Sequence, residues 1–503
     1  MLLTREDSLR RDRPVSIRHR PGKERVLLQL GIVMAFLSMV SVFLLLFTGE
    51  SMAGPWLWIS PAVLFVACLG TAFHLVRVDI QAVASPVFWV LLASGVYWGF
   101  GPLIFTFGNS STITLLNNQY NVGPLELFHT NMLNSVGILA LVVGLAVGGR
   151  LVGKRPQVWV RRFEGLDALR VAGVLAAVGL TAKFSLVLPR VFGLIGTQSS
   201  TLLQIEVLSK AALMILSYLS VTRRGKATVW FVLLFAIEIL SASLISGKSA
   251  ILEVIIAVLV GRALAVRKLS TVLKGIVVLG LLLLVLQPVV TAYRMMTDRT
   301  SGGNYATSVM ETGRRMIESL SVFGLSSFQK ESPQDWWMRL TYAPQQTFAM
   351  REYDSRRPGS PWRDVAMGLI PRVLWRDKPL INPGTNFSIL FDGNPNNSNA
   401  PGVFGEGYWY GGWFGLMLVS LYAGMFLGGC DCVTKEVISR HAWILMPLVF
   451  IGVKNGFRID GWFSTEFLFG SVWYVLFTIF MFYFSAFYLT MARGFPGHRR
   501  RRA

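Results

Sequence analysis

Basic and acidic residues occur together in one long polar stretch of this sequence, and the combination suits chemistry on a phosphorylated substrate. The stretch 362–415 contains Arg372, Arg376, Lys378 and a single Glu406 just before hydrophobic sequence resumes. Guanidinium groups bind phosphate oxygens through paired hydrogen bonds, and ammonium groups bind them as point charges. A nearby carboxylate can accept a proton from a hydroxyl group. The pattern indicates group transfer at a phosphate or pyrophosphate.

Further charged residues lie where apolar segments end. They are the cations Lys183, Arg190, Lys248, Arg294 and Arg458 and the carboxylates Glu253 and Asp460. An ionisable side chain in a membrane helix is costly and usually faces a cavity or a partner. Lys183 either does so or extends to the membrane interface, and Glu253 either pairs with a cation or faces an external site. Because the cations share this position at the ends of apolar segments, we expect them to line one binding site.

The elements that position these residues are apolar segments of membrane-spanning length. The chain is 53% hydrophobic, and its apolar runs lack the two-residue alternation of barrel strands, so they are predicted helices. With roughly 20 residues needed per crossing, the sequence predicts an all-α polytopic membrane protein with about 12 transmembrane helices. The predicted spans are 26–48, 56–76, 83–106, 126–149, 168–189, 203–222, 228–245, 249–266, 273–292, 411–429, 441–457 and 464–491.

The net charge of +21 is distributed as a topology signal rather than as a nucleic-acid-binding surface. Basic blocks flank the apolar runs on alternate sides, which is typical of cytoplasmic loops. Both termini are therefore predicted to be cytoplasmic, and 107–125 is predicted to be a neutral external loop. The predicted divisions are a basic tail at 1–25, helices 1–9 at 26–292, an extracytoplasmic loop at 293–410, helices 10–12 at 411–491 and a basic tail at 492–503. Within the loop, 336–351 and 362–370 are predicted to form short helices.

The sequence gives little support for a metal site. No His, Asp and Glu cluster has ligand spacing, and only His129 lies near the proposed site. Cys430 and Cys432 lack nearby partner ligands, so packing at the membrane boundary is favoured over metal binding. We expect no cofactor. The aromatic residues around Tyr408 either form a membrane-interface belt or stack on sugar rings.

The chain resembles the Wzy-type polymerases, which join O-antigen and other oligosaccharide repeat units of bacterial surface polysaccharides. The resemblance lies in Ile370-Pro371-Arg372, Trp375, Lys378-Pro379 and Pro401-Gly402…Gly405-Glu406-Gly407-Tyr408…Gly411-Gly412…Gly415, and in Ser246-Gly247-Lys248 and Arg458-Ile459-Asp460-Gly461, the last with Ile459 in place of a glycine. The number of predicted spans and the long loop before the last three also agree with that family.

The resemblance implies a GT-C-like fold and an inverting, metal-independent glycosyl transfer on the outer face of a bacterial cytoplasmic membrane. A growing chain would leave its undecaprenyl pyrophosphate and join the non-reducing end of a new lipid-linked repeat unit. The implied partners are these lipid-linked oligosaccharides, the bilayer and a chain-length regulator protein.

We assign roles to the candidate residues on this basis. Glu406 is the first candidate base and Asp460 the second, while Arg372 and Lys378 bind or activate the pyrophosphate. The remaining substrate-binding candidates are Lys248, Arg294, Arg458, Arg376, Lys183, Arg190 and Tyr408.

Two other functions share parts of this pattern. An O-antigen ligase uses the same leaving group, but ligases of that type rely on a histidine in the external loop, and 293–410 has none. A flippase or transporter of lipid-linked sugar would need charges along the cytoplasmic half of the spans, and no internal repeat is visible.

Overall fold

A computed structural model describes residues 22–47, 53–153, 155–191, 204–244, 248–282, 335–359, 375, 383–393 and 398–494. Helices and short connections make up all of these residues, and none of them forms a strand. The helices of two turns or more are α1 Gly22–Phe47, α2 Ala53–Val78, α3 Pro86–Phe107, α4 Ser110–Tyr120, α5 Pro124–Val152, α6 Ala168–Val187, α7 Gln204–Thr222, α8 Lys226–Leu244, α9 Lys248–Val266, α10 Leu269–Leu282, α11 Ala343–Asp354, α12 Pro383–Asp392, α13 Gly402–Ser439, α14 Trp443–Phe457 and α15 Phe463–Tyr488.

Ten of the described helices are long and apolar enough to cross a membrane. The chain is therefore a polytopic helical membrane protein. The shorter apolar helices α10 and α14 coincide with the other two predicted spans, although the predicted span 273–292 extends beyond the described residues. The count of about 12 spans stays a prediction from length and hydropathy.

The tightest helix contact joins α5 to α13. It is lined by two glycine pairs of GxxxG spacing, Gly144 and Gly148 on α5 and Gly424 and Gly428 on α13. A methyl group at Gly148 would lie 2.0 Å from the carbonyl oxygen of Met425, and one at Gly424 would lie 2.2 Å from that of Leu141. Small residues let membrane helices approach backbone to backbone. This contact fixes α13, whose first turns carry Glu406.

The helix α13 is broken near its start. Gly411 and Gly412 have non-helical backbone angles, and Gly412 lies at φ 60°, ψ −147°, a conformation that side chains other than glycine's rarely adopt. The tenth span was predicted to begin at about 411, and the structure adds a separate helical segment, 402–410, before the break. A methyl group on Gly412 would also lie 2.8 Å from the ring of Tyr353.

Three of the described helices contain a π-helical turn. The turns are Gly95–Phe100 in α3, Lys183–Val187 in α6 and Phe463–Leu468 in α15. An inserted residue of this kind re-aims the side chains of one turn, and such turns are frequent at functional sites. Each of the three turns carries one polar residue of the region described below, namely Tyr97, Lys183 and Glu466.

The short helices α4, α11 and α12 pack at one end of the bundle, which we name the loop end. The stretch predicted as a loop at 107–125 contains the helix α4, which Asn109 caps by accepting a hydrogen bond from the backbone N–H of Thr112 at 2.8 Å. The predicted helix 336–351 is instead a single turn, Asp335–Met338, followed by α11. The predicted helix 362–370 lies outside the described residues.

A buried amide pair attaches α11 to α5. The side-chain amides of Asn134 and Gln346 each donate to the other, at 3.3 and 2.8 Å. Amides satisfied in this way escape the cost of burying an unpaired polar group. The pair holds the start of α11, and with it Tyr342, against the bundle.

Candidate active site

The turn Arg458–Gly461, between α14 and α15, forms the centre of the candidate site. Arg458 ends α14, donating its backbone N–H to the carbonyl oxygen of Lys454 at 3.0 Å, and Gly461 donates to the carbonyl oxygen of Arg458 at 3.1 Å. The backbone N–H of Val403 donates to the carbonyl oxygen of Ile459 at 3.3 Å. The turn is therefore held by α14 and by the start of α13.

Arg458 is a cation that solvent can reach. Its Nη2 lies 3.0 Å from Oε1 of Glu466, and its side chain is 32% exposed. The carboxylate of Glu466, with a smaller contribution from Asp460, raises the pKa of Arg458 above its ordinary value. The guanidinium group is thus charged at every relevant pH and is available to an anionic ligand.

Asp460 faces two tyrosines. The hydroxyl of Tyr342 donates to Oδ2 of Asp460 at 2.7 Å, and the rings of Tyr97 and Tyr342 meet edge to face at 5.4 Å. Burial raises the pKa of Asp460 above its ordinary value, although the nearby Arg458 and the hydrogen bond from Tyr342 both act to lower it. A carboxylate with a raised pKa is a stronger base, and it is suited to accept a proton from a sugar hydroxyl.

Glu406 is in a different environment. It is fully buried, and it accepts hydrogen bonds from the backbone N–H of Phe463, from that of Ser464 at 3.2 Å and from the hydroxyl of Tyr410. Phe463 and Ser464 begin α15, so the carboxylate of Glu406 caps the N-terminus of that helix and interacts favourably with its dipole. Both of its oxygens are engaged, which favours a structural role over that of a free base.

A row of alternating charges lies beside the site, and we name it the lateral charge chain. Its members, in spatial order, are Glu238 of α8, Lys183 of α6, Glu206 and Lys210 of α7, Glu253 of α9 and Lys454 of α14. It joins five helices at the loop end. Its three carboxylates and three ammonium groups balance in charge.

The contacts along the lateral charge chain are direct. Lys183 is paired with Glu238, and both side chains are at most 1% exposed. Lys210 is paired with Glu253 and lies 3.3 Å from Glu206. The other oxygen of Glu253 lies 3.5 Å from Nζ of Lys454, one helical turn before Arg458. The chain thus runs from the lipid-exposed helix α8 to the candidate site.

These contacts resolve two alternatives left open by the sequence. Lys183 does not extend to the interface, because its ammonium group is enclosed with Glu238 and donates a further hydrogen bond to the hydroxyl oxygen of Ser241 at 3.3 Å. Glu253 pairs with two cations of the bundle rather than standing alone at the surface.

Comparison of the chain with protein-family models, with curated proteins and with solved structures gave no match.

Several predicted site residues are not placed. Arg294, Arg372, Arg376 and Lys378 lie outside the described residues. The side chains of Arg190 and Lys248 also lie outside the described part, although Lys248 begins α9. Of the predicted residues, the described side chains bring together Arg458 and Asp460, with Glu406 behind them and Lys183 at the far side of the lateral charge chain.

Tyr408 is buried between α13 and α11 and does not face an open surface. It is 6% exposed, its hydroxyl donates to Asp354 at 3.1 Å, and its ring meets those of Tyr353 and Trp413 edge to face. These contacts anchor α11 to α13. They do not present the ring of Tyr408 for stacking on a sugar.

Sequence reasoning missed most members of the lateral charge chain and the tyrosine partner of Asp460. The missed residues are Glu206, Lys210, Glu238, Lys454, Glu466, Tyr97 and Tyr342. Local signals existed for three of them. Glu206 and Lys210 have the four-residue spacing of a helical ion pair, and Lys454 lies one turn before Arg458.

Metal ligands do not converge in the described part of the chain, where no group of three or more His, Cys, Asp and Glu side chains could hold an ion. Cys430 is buried, and the thiol of Cys432 donates to the carbonyl oxygen of Gly149 at 3.4 Å.

Proposed function

We propose that this chain is a membrane glycosyltransferase that polymerises oligosaccharide repeat units linked to undecaprenyl pyrophosphate. The observation that carries the proposal is the turn Arg458–Gly461, which presents a solvent-accessible guanidinium group beside a half-buried carboxylate at the loop end. Transfer of a sugar from a pyrophosphate to a hydroxyl group needs a cation for the leaving group and a base for the hydroxyl, and this turn supplies one of each.

The reaction assigned to this site uses the acceptor sugar as nucleophile. Asp460 accepts the proton of the acceptor hydroxyl, whose oxygen forms a bond to the anomeric carbon of the donor sugar. The bond between that carbon and the phosphate oxygen breaks, and the electron pair leaves with the lipid pyrophosphate. Arg458, together with the sequence-predicted Arg372 and Lys378, stabilises the charge that develops on the leaving group.

The environments of the two carboxylates support Asp460 as the base in preference to Glu406. Asp460 accepts one side-chain hydrogen bond from Tyr342, whereas Glu406 accepts three from within the protein and is fully buried. Glu406 is then the residue that fixes the start of α15, and through it Glu466, the partner of Arg458.

The test is a polymerisation assay with purified protein in nanodiscs and lipid-linked repeat units. Arg458→Ala and Asp460→Asn should each abolish long chains and leave single repeats on the lipid, with a loss of about 10²–10⁴-fold in rate for the missing base. Arg440→Ala is the matched control, because Arg440 also bridges acidic residues of the bundle, Glu164 and Glu436, but far from the site.

Two results would count against the proposal. Unchanged chain lengths in both Arg458→Ala and Asp460→Asn would show that these residues do not form the active site. Failure of the purified wild-type protein to form polymer from lipid-linked repeats, together with movement of those lipids across the bilayer, would make it a transporter.

A further inference from the structure

The charge balance of the lateral charge chain bears directly on how strongly the site attracts an anion. Glu253 lies between two lysines, with Lys210 on one oxygen and Lys454 on the other. It is also close enough to Arg458 to contribute to the raised pKa of that guanidinium group. Among the described residues, Glu253 is therefore the carboxylate through which the chain reaches the site.

The location of these charges argues against a purely stabilising role. Buried ion pairs can be replaced by apolar residues of similar size at little cost or with a gain in stability. A chain of ionised side chains across five helices is therefore unexplained by stability, and ionisable residues inside a membrane protein usually belong to a functional site.

The site needs a limited affinity for its anionic ligand. If the lipid pyrophosphate were bound equally tightly before and after transfer, its departure would limit turnover. Lys454 and Arg458 lie one helical turn apart, and together they would attract an anionic ligand strongly if no carboxylate lay beside them. Glu253 partly neutralises the charge of Lys454, and Glu466 partly neutralises that of Arg458.

We propose that Glu253 is a positioning residue that lowers the affinity of the Arg458 site for pyrophosphate, and that Lys210 sets the strength of this effect by neutralising Glu253. This inference rests on the proposed function, since it assumes that Arg458 binds the pyrophosphate. Glu253 and Lys210 touch each other and do not contact the ligand, yet they change the affinity for pyrophosphate in opposite directions.

The experiment measures the binding of radiolabelled farnesyl diphosphate, a short prenyl pyrophosphate, to the full chain in nanodiscs. Glu253→Gln should lower the Kd about fivefold and Lys210→Met should raise it about fivefold, as expected for one unit charge at partly screened range. A purely structural role predicts weaker binding in both. Asp431→Asn is the control, because Asp431 is equally buried and lysine-paired, with Lys435, but on the C-terminal half of α13.

The double variant Lys210→Met/Glu253→Gln covers the case in which Glu253→Gln alone does not fold. Its Kd should lie below that of Lys210→Met, because the uncompensated carboxylate is gone. In the polymerisation assay, Glu253→Gln should lower KM and kcat together, whereas Lys210→Met should raise KM.

The outcomes separate this inference from the proposed function. Equal changes of Kd in Glu253→Gln and Lys210→Met, or no change in either, would overturn the role of Glu253 while leaving the site in place. Unchanged binding in Arg458→Ala would overturn the site itself. A change in Asp431→Asn as large as that in Glu253→Gln would show a general loss of structure and would also overturn the inference.

Discussion

The ion pairs of the lateral charge chain are enclosed by the bundle, whereas a pair at the opposite end of the bundle faces solvent. Lys183 and Glu238 are at most 1% exposed, while Asp167 and Arg223, which pair at 2.9 Å, are 40% and 56% exposed. Exposed pairs are screened and contribute about 0–1 kcal/mol each. Breaking a buried pair is far more costly, because the remaining charge has no solvent. The two regions therefore use pairs of opposite charge for different purposes.

The largest effect is expected from breaking the enclosed pair. Glu238→Leu removes the nearest partner of the buried Lys183 and leaves it only the contact with Glu206 at 4.0 Å, so the free energy of unfolding should fall by about 3–5 kcal/mol. Denaturant unfolding of the purified protein in mixed micelles measures it. The paired change Lys183→Met/Glu238→Leu should restore most of the loss, and a single variant as stable as the wild type would contradict the comparison.

Asp460 extends the comparison to a half-buried carboxyl group that has no direct ion-pair partner among the described residues. Because burial raises its pKa in the folded state, its favourable contribution is complete below the ordinary aspartate pKa of about 3.9 and is lost as pH rises through the folded value. Asp460→Asn should therefore melt at a higher temperature than the wild type at pH 7 while losing polymerisation.

The melting temperatures of Asp460→Asn and the wild type should converge as the pH is lowered toward 4, which thermal scans at several pH values would show. Polymerisation by the wild type should rise with pH through a value above the ordinary pKa, because only the ionised form accepts a proton. A variant that is less stable than the wild type at pH 7 would contradict the buried environment of Asp460.

Glu406 should show an intermediate effect. Glu406→Gln keeps the shape of the side chain but removes the charge that caps α15, so we expect a loss of about 1–2 kcal/mol of stability. The fold-loss of polymerisation rate in Glu406→Gln should be at least ten times smaller than the fold-loss in Asp460→Asn. A larger loss of rate in Glu406→Gln, at equal folding, would return the role of base to Glu406.

The smallest effect is expected at the exposed end. Asp167→Asn should lower the free energy of unfolding by about 0–1 kcal/mol, and high salt should reduce this difference. Partial burial opposes ionisation of Asp167, but hydrogen bonds and charge from Arg223 and Arg170 lower its pKa overall.

The stabilisation from Asp167 is therefore present above the ordinary aspartate pKa of about 3.9 and lost as pH falls through the lowered folded value. Unfolding of the wild type and Asp167→Asn at neutral and acidic pH would test this sign. A loss as large as that in Glu238→Leu would mean that the two ends do not differ.

The sequence predicted the helical class and most span positions because hydrophobic length is a local property. It also singled out Lys183 and Glu253, since a charge within an apolar run is visible in a single sequence. The partners of these residues could not be predicted, because Lys183 and Glu238 are 55 residues apart and Lys210 and Glu253 are 43 apart. Which helices neighbour each other is set by packing such as the glycine contact of α5 with α13.

The role of Glu406 shows a second limit of sequence reasoning. Its position before an apolar segment suggested a reactive carboxylate, but reactivity depends on how many donors surround its oxygens. Two of the three donors are the backbone N–H groups of Phe463 and Ser464, 57 and 58 residues along the chain, and backbone groups carry no residue-specific signal. Tyr342 was missed for a related reason, since it lies at the start of a short helix far from Asp460 in the sequence.

The spacing of the lateral charge chain has a consequence for biogenesis. A ribosome delivers α6 with Lys183 before α8 with Glu238 exists, and Lys210 of α7 precedes Lys454 of α14 by more than two hundred residues. On insertion scales, a lone lysine at the centre of a helix costs about 2.5–3.5 kcal/mol. We therefore expect the helices α6 to α9 to leave the translocon as a group, with α14 completing the charge balance only near the end of synthesis.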